Sequence, residues 1–333
     1  MAEITATVAI PSYNRAQQLK QALACMTSQE TNGNFEYEVL VIDDGSTDET
    51  PDVVEEVARE SKVPVRYVKG RGMGYTHALN TAVSKFNGKW LAFFDDDQLT
   101  HSKWLSQLLS AASNQGAMMV GGPIELELPR ELLDAIGPVC RNIFGEYPPR
   151  CVKGAACQAK PLPPGGNRLV HRSVFEKIGS FDEKMLTGGC DRDFLLRACD
   201  AGITMGWAER AVVRHLIDPS RFTPEHIKWY SLQWGCSFAY IDRKRWGRLK
   251  TTLACIARIG QALMVNLPLY LYFRARDDRR SMMDYYALLW RCLGYTRQTL
   301  RLLMPRVFAQ EDFFSKVEFR RIRKTSNNGS NLE

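Results

Sequence analysis

The chain has 333 residues, 45% of them hydrophobic and 24% charged, and its formal net charge is +7 at pH 7. This composition is that of a globular protein rather than a disordered one, and the length leaves room for one large domain or two smaller ones. Nine cysteines without a C-x-x-C pair argue against a zinc ribbon and indicate free thiols in a reducing compartment. The charge is uneven, because residues 221–333 hold 21 Lys and Arg against 9 Asp and Glu. An acidic first part and a basic last part predict different partners.

Strands and helices alternate along the first 122 residues. Apolar strands are predicted at 4–10, 37–42, 65–68, 91–94 and 118–122, with amphipathic helices between them. This alternation predicts βαβ crossovers and a parallel sheet. Residues 4–10 are interpreted as a first strand, because no basic-then-apolar signal peptide precedes them.

The pattern changes after residue 122. Prolines and glycines are dense between 123 and 167, which predicts a long irregular loop with a functional role. A strand at 167–171 and a helix after Gly189-Cys-Asp-Arg-Asp193 follow. From Pro224 the chain is expected to be helical, and the polar residues 324–333 are expected to be disordered.

Acidic side chains cluster where apolar strands end. Leu91-Ala-Phe-Phe94 runs directly into Asp95, Asp96 and Asp97, and Asp43 and Asp44 follow the second strand. Because parallel strands end at one edge of a sheet, these clusters are expected to lie close together. Three adjacent carboxylates repel one another unless a divalent cation such as Mg²⁺ or Mn²⁺ neutralises them, and such an ion typically bridges to nucleotide phosphates. The alternative is a solvated turn in which one Asp caps the next helix.

Five short motifs, in order, resemble those of family 2 glycosyltransferases with the GT-A fold. They are Val8-Ala-Ile-Pro-Ser-Tyr-Asn-Arg15, Val39-Leu-Val-Ile-Asp-Asp-Gly-Ser-Thr-Asp48, Gly74 with Ala78-Leu-Asn80, Phe94-Asp-Asp-Asp97 and Gly188-Gly-Cys-Asp-Arg-Asp-Phe194. The resemblance covers about residues 5–220. It implies an α/β fold in which helices flank a Rossmann-like, mixed but mainly parallel sheet, followed by a helical basic C-terminal region. The implied division is a catalytic domain over 1–220, a helical region over 221–323 and a tail over 324–333. Within the catalytic domain, 1–122 would bind the nucleotide and 123–220 the acceptor.

The resemblance also implies a site with three parts. Nucleotide contacts would come from Pro11, Tyr13, Asn14, Arg15, Asp43, Asp44, Arg71, Asp95 and Asp96. The metal, Mn²⁺ or Mg²⁺, would be bound by Asp97, Asp95 and His215. Asp191 would be the general base, and Gly189, Cys190 and Asp193 would face the donor or acceptor sugar. His215 is equally well explained as an ordinary polar histidine and Arg71 as a solvated arginine. For Asp191 and for Asp193 the alternative is that the residue is simply the N-cap of the following helix.

The implied reaction is an inverting, metal-dependent hexosyl transfer from a nucleotide sugar, usually UDP-linked, to a hydroxyl of a glycan or lipid-linked acceptor. Synthesis of bacterial surface polysaccharide is the expected setting. One residue departs from the family pattern: Cys190 stands where the family usually has Glu, and a thiol cannot replace a carboxylate that positions hydroxyls. That departure leaves open an inactive sugar-binding or assembly protein. Asp242-Arg-Lys-Arg-Trp246 approaches the Q-x-x-R-W motif of processive synthases but has Asp in place of Gln, which predicts transfer of a single sugar.

Two other enzyme classes account for fewer of these motifs. Gly70-Arg-Gly-Met-Gly74 follows a strand and precedes a helix, as in an NAD-dependent oxidoreductase. However, its spacing differs from G-x-G-x-x-G, it follows the third strand, and it leaves the aspartates unexplained. A nucleotidyltransferase would place a glycine-rich basic loop after its first strand, where this chain has Pro11-Ser-Tyr-Asn14.

The basic C-terminal region contains an apolar segment, 253–273, between Arg243–Lys250 and Arg274–Arg280. Arg258, Gln261 and Asn266 within it argue against a spanning helix. Interleaved Trp, Tyr, Leu and Arg predict amphipathic helices, either at an anionic membrane surface or packed on the domain or on a second subunit. We therefore expect a cytoplasmic protein, which the first of these alternatives would make peripheral at the inner face of a membrane. Nucleic-acid binding is not expected, because no motif accompanies the charge.

Overall fold

The structure is a computed structural model of the chain, and it describes residues 4–148, 162–185 and 188–308. The expected disordered tail therefore lies outside the described residues. Within them, ten strands form two sheets. The strands are β1 (Ile4–Ser12), β2 (Glu36–Asp43), β3 (Val65–Lys69), β4 (Trp90–Phe94), β5 (Gln98–Thr100), β6 (Met119–Gly121), β7 (Ile124–Glu127), β8 (Asn167–His171), β9 (Met205–Trp207) and β10 (Val213–Leu216).

The larger sheet has seven strands in the order β3-β2-β1-β4-β8-β6-β9. Strands β1 to β4 run parallel, whereas β8 is antiparallel to both of its neighbours. Ser12 of β1 lies opposite Asp43 of β2, and Ala9 lies opposite Phe93 of β4, so these strands end at one edge. The predicted mixed, mainly parallel α/β sheet is confirmed.

The helices have the bounds α1 (Ala16–Thr27), α2 (Thr50–Glu60), α3 (Tyr75–Lys85), α4 (Trp104–Gln115), α5 (Arg130–Ala135), α6 (Pro138–Ile143), α7 (Arg172–Ile178), α8 (Cys190–Asp200), α9 (Pro224–Gln261), α10 (Leu267–Ala275) and α11 (Arg279–Leu303). A π-helical turn, Ala262–Asn266, joins α9 to α10, and a 3₁₀ turn covers Pro219–Arg221. The core of the sheet is formed by fully buried strand residues such as Val8 and Val41. Leu19 and Leu23 of α1 and Trp104 of α4 pack against them. Burial on both faces explains why these strands are continuously apolar.

Contacts divide the described residues into two compact units. The first comprises 4–127, 146–148, 162–184 and 190–216, and it holds both sheets. The second comprises 128–145, 185, 188–189 and 217–308, and it is helical. The predicted boundary at residue 220 stays a prediction. Helix α9 begins at Pro224, which confirms the predicted start of the helical region.

One helical stretch among the described residues, Pro224–Ala275, is long and apolar enough to cross a membrane by length and composition alone. Only 17% of its most apolar 18-residue window is buried. Gly247, with φ +77°, bends the stretch, so Arg248–Ala275 is a separate helical arm. The prediction from sequence was of helices at a surface rather than a spanning helix.

The prediction of an irregular loop over 123–167 was wrong for its described part. Strand β7 and the short helices α5 and α6 lie there, and β7 pairs with β10, which pairs with β5 in the three-stranded sheet. Elements of four to six residues are too short to show a period, and Pro138 occupies the first turn of α6, where a helix accepts proline.

Candidate active site

The three aspartates that follow β4 have different surroundings. Asp96 is turned inward: Ser12 donates a hydrogen bond of 2.8 Å to its Oδ2, and Arg15 Nη1 donates one of 2.8 Å to its Oδ1. The same Arg15 nitrogen also contacts Asp97. Asp96 and Arg15 thus connect the end of β1 to the end of β4. Asp96 and Asp97 share the guanidinium group of Arg15.

Asp97 also faces His215, which β10 brings to the same edge. His215 Nε2 lies 3.3 Å from Asp97 Oδ1, and Leu216 N donates a 2.8 Å hydrogen bond to the carbonyl of Asp97. Burial lowers the pKa of His215, but the charges of Asp97 and Asp95 outweigh it, so the pKa lies above its ordinary value. The pairing of β10 with β5 explains how residues 118 positions apart meet.

The carboxyl group of Asp95 is strongly perturbed by its surroundings. Burial and the charge of Asp97 raise its pKa to about 7. Gln98 accepts a 3.0 Å hydrogen bond from Asp95 N and donates one of 3.3 Å to Asp95 Oδ2, and Tyr75 OH donates one of 3.3 Å to Oδ1. Burial is the larger cause of this raised pKa, and the neighbouring carboxylates add negative potential of the kind that attracts a cation.

A divalent ion fits the donor chemistry of this cluster. Among residues 4–148, 162–185 and 188–308, no group of three or more His, Cys, Asp or Glu converges as a complete metal cage. The carboxylate of Asp97 and the imidazole of His215 nevertheless form an adjacent pair, with Asp95 close enough to influence both. Mg²⁺ commonly takes one or two carboxylates and completes its shell with waters and substrate phosphates, so the carboxylates of Asp97 and Asp95 supply suitable donors.

The loop after β2 is braced from several sides. Asp43 Oδ1 accepts a 2.8 Å hydrogen bond from Ser46 N, and Oδ2 accepts one of 2.6 Å from Tyr67 OH. Asp44 Oδ2 accepts a 2.7 Å hydrogen bond from Gly74 N, while its buried Oδ1 has no partner within the described part of the chain. Asp43 is therefore fixed in orientation, and Asp44 connects this loop to the glycine loop.

Other predicted nucleotide residues lie around the same loop. Asn14, at φ +50°, accepts a 2.7 Å hydrogen bond from Thr47 N and so acts as a brace between two loops. Pro11 is buried at the end of β1, and Tyr13 is half-buried. Arg71 lines a groove of about 370 Å³ together with Asp44 and His77. The structure thus brings Pro11, Asn14, Asp43 and Asp44 to one sheet edge with Asp95–Asp97.

Asp191 lies in the first turn of α8 and contacts a buried arginine. Arg168 Nη2 donates a 2.7 Å hydrogen bond to Asp191 Oδ1. The Arg168 side chain is fully buried, whereas 30% of the Asp191 side chain is exposed. A carboxylate held from one side and open on the other is suited to receive a proton from a bound molecule.

The surroundings of Arg168 are aromatic. Its guanidinium carbon lies 5.4–5.6 Å from the ring centroids of Phe93, Phe181 and Phe194. Its Nε and Nη1 are buried without a hydrogen-bond partner in the described residues. Three cation–π contacts and the carboxylate of Asp191 therefore stabilise the positive charge of Arg168.

Sequence reasoning missed Arg168. The signal in the sequence is weak: Arg168 lies between Asn167 and Leu169-Val170 in a predicted strand, and a charge in a strand that becomes buried needs a partner.

Two glycines separate Asp95 from Asp191. A Cβ placed on Gly166 would lie 2.1 Å from Asp95 Oδ2, and one placed on Gly165 would lie 2.8 Å from Asp191 Cγ. Both carboxylates therefore lie against the same short backbone segment. Any side chain at Gly166 would collide with Asp95, so the close approach requires glycine.

The remaining predicted sugar-binding residues are mixed. Asp193 is buried and accepts a 2.8 Å hydrogen bond from Arg197 Nε, a contact within α8. Cys190 is also buried, and burial together with the charge of Asp191 raises the pKa of its thiol. Cys190 is therefore a neutral thiol at pH 7. Gly189 has φ +85°, and a Cβ there would lie 2.8 Å from Ser237 Cβ. Their roles in sugar binding stay predictions.

Comparison with known sequences gives a match to one family model. The model of glycosyl transferase family 2 matches residues 7–179. Glycosyltransferase AglE of Haloferax volcanii is 29% identical over 216 residues, which is 64% of this chain and 67% of that protein. Chondroitin synthase of Escherichia coli is 31% identical over 121 residues, covering 35% of this chain but only 17% of that protein.

Solved structures with the same fold cover most of the chain. A mannosyltransferase of Pyrobaculum calidifontis, in complex with GDP-Man and Mn²⁺, is 19% identical with a TM-score of 0.57, covering 89% of this chain and 88% of that one. Residues 1–349 of S. aureus TarS are 17% identical with a TM-score of 0.52, covering 91% and 92%. At these identities the likeness shows the fold, and the GT-A fold expected from the motifs is confirmed.

Proposed function

Because the chain belongs to glycosyltransferase family 2 and is therefore a glycosyltransferase, we propose that it moves a sugar from a UDP-linked donor to a hydroxyl of a glycan or lipid-linked acceptor, with inversion. The observation that carries this proposal is the pair of carboxylates at Asp95 and Asp191, which meet across Gly165 and Gly166. Asp95 belongs to the acidic cluster that follows β4, where the donor would bind. Asp191 is partly exposed and is oriented by Arg168.

The donor side of the site would bind a nucleotide diphosphate with a divalent metal. Asp97 and His215 would bind Mn²⁺ or Mg²⁺, and Asp43, fixed by Tyr67, would accept a hydrogen bond from the base. The metal would offset the charge that develops on the leaving diphosphate. Structural relatives support this assignment, since one was solved with GDP-Man and Mn²⁺ and another with UDP-GlcNAc.

Asp191 would act as the general base. The acceptor oxygen would bond to the anomeric carbon as the bond from that carbon to the diphosphate breaks, and the hydroxyl proton would pass to Asp191. A single displacement of this kind inverts the anomeric configuration. Arg168 would keep one oxygen of Asp191 occupied, so that the other faces the acceptor.

The setting we propose is transfer of a single sugar during synthesis of a surface glycan, on the cytoplasmic side of a membrane. The name of the relative chondroitin synthase supports a glycan acceptor. Asp242, which replaces the Gln of the processive motif, accepts a 2.8 Å hydrogen bond from Tyr295 OH inside the helical unit. It is thereby engaged in structure rather than available to a growing chain.

The experiment that tests the donor site is isothermal titration of UDP, GDP and NAD, each with and without Mn²⁺. We expect micromolar UDP binding that requires metal and is lost in Asp97→Ala. Binding of GDP in preference to UDP would overturn the assignment of uracil as the nucleobase of the donor. Binding of NAD alone would overturn the donor site as a whole.

A transfer assay, run with the nucleotide sugar that binds, then tests whether Asp191 is the general base. Asp191→Asn should bind the donor as the wild type does and lose transfer, while Asp200→Asn, near the exposed end of the same helix, should leave both unchanged. Retained turnover in Asp191→Asn would exclude this residue as the base.

A further inference from the structure

The helical arm Arg248–Ala275 has two faces of opposite character. It begins after the bend at Gly247, continues through the π-helical turn and ends with α10. One face packs on α11. The other carries large aliphatic side chains that nothing in the described residues covers.

The inner face is composed of small or polar residues. Thr251, Cys255, Ala262 and Asn266 are at most 7% exposed. Cys255 Sγ lies 3.6 Å from the hydroxyl of Thr296 on α11. These residues recur at helical spacing and define the side that faces protein.

The charge within the arm is also directed inward. Arg258 lies over the ring of Tyr295, 4.4 Å from its centroid, and its Nη2 is 3.5 Å from Asp242 Oδ2. This arginine, which argued against a membrane segment from sequence, is half-buried and pairs with Asp242 within the helical unit.

The outer face consists of the aliphatic residues that a water-soluble helix normally buries. Its members are between 36 and 80% exposed, and we call them the aliphatic face: Leu249, Leu253, Ile256, Leu263, Met264, Leu267 and Leu271. The pattern is thus inverted relative to a helix in water, with polar side chains inside and apolar side chains outside. An exposed apolar surface of this extent marks an interaction site.

The ends of the aliphatic face match the chemistry of a lipid headgroup layer. From Leu249 to Leu271 the arm is about 33 Å long at 1.5 Å per residue. Trp246 and Tyr272, 46 and 47% exposed, stand at its two ends, where amphipathic aromatic rings favour a membrane interface. Basic side chains flank both ends, at Arg243, Lys244, Arg245, Arg248 and Lys250, and at Arg274, Arg276, Arg279 and Arg280.

We propose that the aliphatic face is embedded in one leaflet of an anionic phospholipid bilayer, with the arm lying along the membrane surface. Spanning is disfavoured because α11, which packs along the arm, carries Arg291, Arg297 and Arg301 and would enter the hydrocarbon with it. A second copy is disfavoured because a pair of arms would bring like-charged ends together in either orientation. Anionic headgroups complement both ends.

Co-sedimentation of the full chain with vesicles tests this proposal without any sugar transfer. Vesicles of phosphatidylcholine alone are compared with vesicles containing 30% phosphatidylglycerol, at low and high salt. We expect binding to the anionic vesicles that weakens with salt but persists, because apolar insertion is not screened. Wild-type protein that stays in the supernatant with all vesicles would overturn the proposal.

Matched triple variants locate the surface. Ile256→Gln with Met264→Gln and Leu267→Gln should reduce vesicle binding at least tenfold. The control changes Leu293, Met304 and Val307 to Gln, three exposed aliphatic residues outside the face, and should bind as the wild type does. Equal losses in both triples would overturn the assignment to this face.

Sedimentation velocity without lipid tests the other possible occupant of the aliphatic face, a second copy of the chain. If the face triple converts a wild-type dimer to a monomer while vesicle binding is unchanged, the face is an interface between copies and the proposal is wrong. Circular dichroism of both triples verifies that they fold. Because nucleotide titration uses the other unit's residues, its outcome is independent of the vesicle result.

Discussion

Arg168→Met is expected to slow transfer strongly while leaving the protein folded. The substitution removes the 2.7 Å hydrogen bond to Asp191 and three cation–π contacts. A hydrogen bond to a charged group contributes about 1.5–3 kcal/mol, and each cation–π contact contributes roughly 0.5–2 kcal/mol. The substitution also removes two buried nitrogen atoms that have no hydrogen-bond partner among the described residues, each costing about 1–3 kcal/mol.

These effects on stability nearly cancel. Asp191 is partly exposed, so water can solvate its charge once Arg168 is gone. We expect the free energy of unfolding to change by no more than about 2 kcal/mol, which for a domain of this size shifts Tm by up to roughly 8 °C. The catalytic effect does not cancel, because an Asp191 released by about 1 Å loses its alignment with the acceptor, a displacement that costs on the order of 100-fold in rate.

The assay is steady-state release of nucleoside diphosphate, with thermal unfolding measured in parallel. We expect kcat to fall about 100-fold, or about 2.7 kcal/mol, with donor KM unchanged. The matched control is Arg172→Met: Arg172 lies 3.9 Å from the centroid of the Phe86 ring and donates to backbone carbonyls. That variant should lose stability but keep kcat. A wild-type kcat in Arg168→Met would refute the positioning role.

Three further predictions rest on other contacts. Tyr67→Phe removes the 2.6 Å hydrogen bond that fixes Asp43 and should weaken UDP binding about tenfold by titration calorimetry, with a loss of stability of about 1–3 kcal/mol because Asp43 is buried. Gly88→Ala should destabilise the fold by several kcal/mol in urea unfolding, because φ is +75° and the new Cβ would lie 2.4 Å from the Ile4 carbonyl oxygen; a wild-type midpoint would contradict it. Burial and Arg221 lower the pKa of His226 to about 4, so the unfolded chain binds its proton first as pH falls below about 6.5. Stability should therefore drop between pH 6.5 and 4, and His226→Gln should flatten that slope in melts across pH.

The sheet and its acidic edge were predictable because their signals are local. An unbroken apolar run such as Leu91–Phe94 indicates a buried strand, and the aspartates after it must then lie at the strand's end. The register, with Ser12 opposite Asp43, confirms the expected convergence. The bracing of Asp96 by Arg15 could not be read, since it depends on the rotamers of residues 81 positions apart.

What the sequence concealed was long-range pairing. Arg168 is interpretable only once Asp191 and three rings surround it, and its neighbours in sequence resemble any strand. Similarly, β5, β7 and β10 hold three or four residues each and exist because they pair with one another. Arg258 argued against a membrane-facing segment from sequence, but its side chain points toward Tyr295 and Asp242, away from the aliphatic face. Composition alone could not reveal that orientation.

The strand order has a consequence for synthesis of the protein. Strands β1 to β4 are adjacent in the sheet and complete by Phe94, but β4 pairs on its other side with β8, which begins at Asn167. At 5–20 residues per second, a ribosome needs roughly 4 to 14 s to synthesise the segment between Phe94 and Asn167. During that time β4 would present an unpaired apolar edge, the kind of surface that recruits stray strands. A nascent-chain chaperone would be most valuable in that interval, and slow codons between the two strands would lengthen the risk.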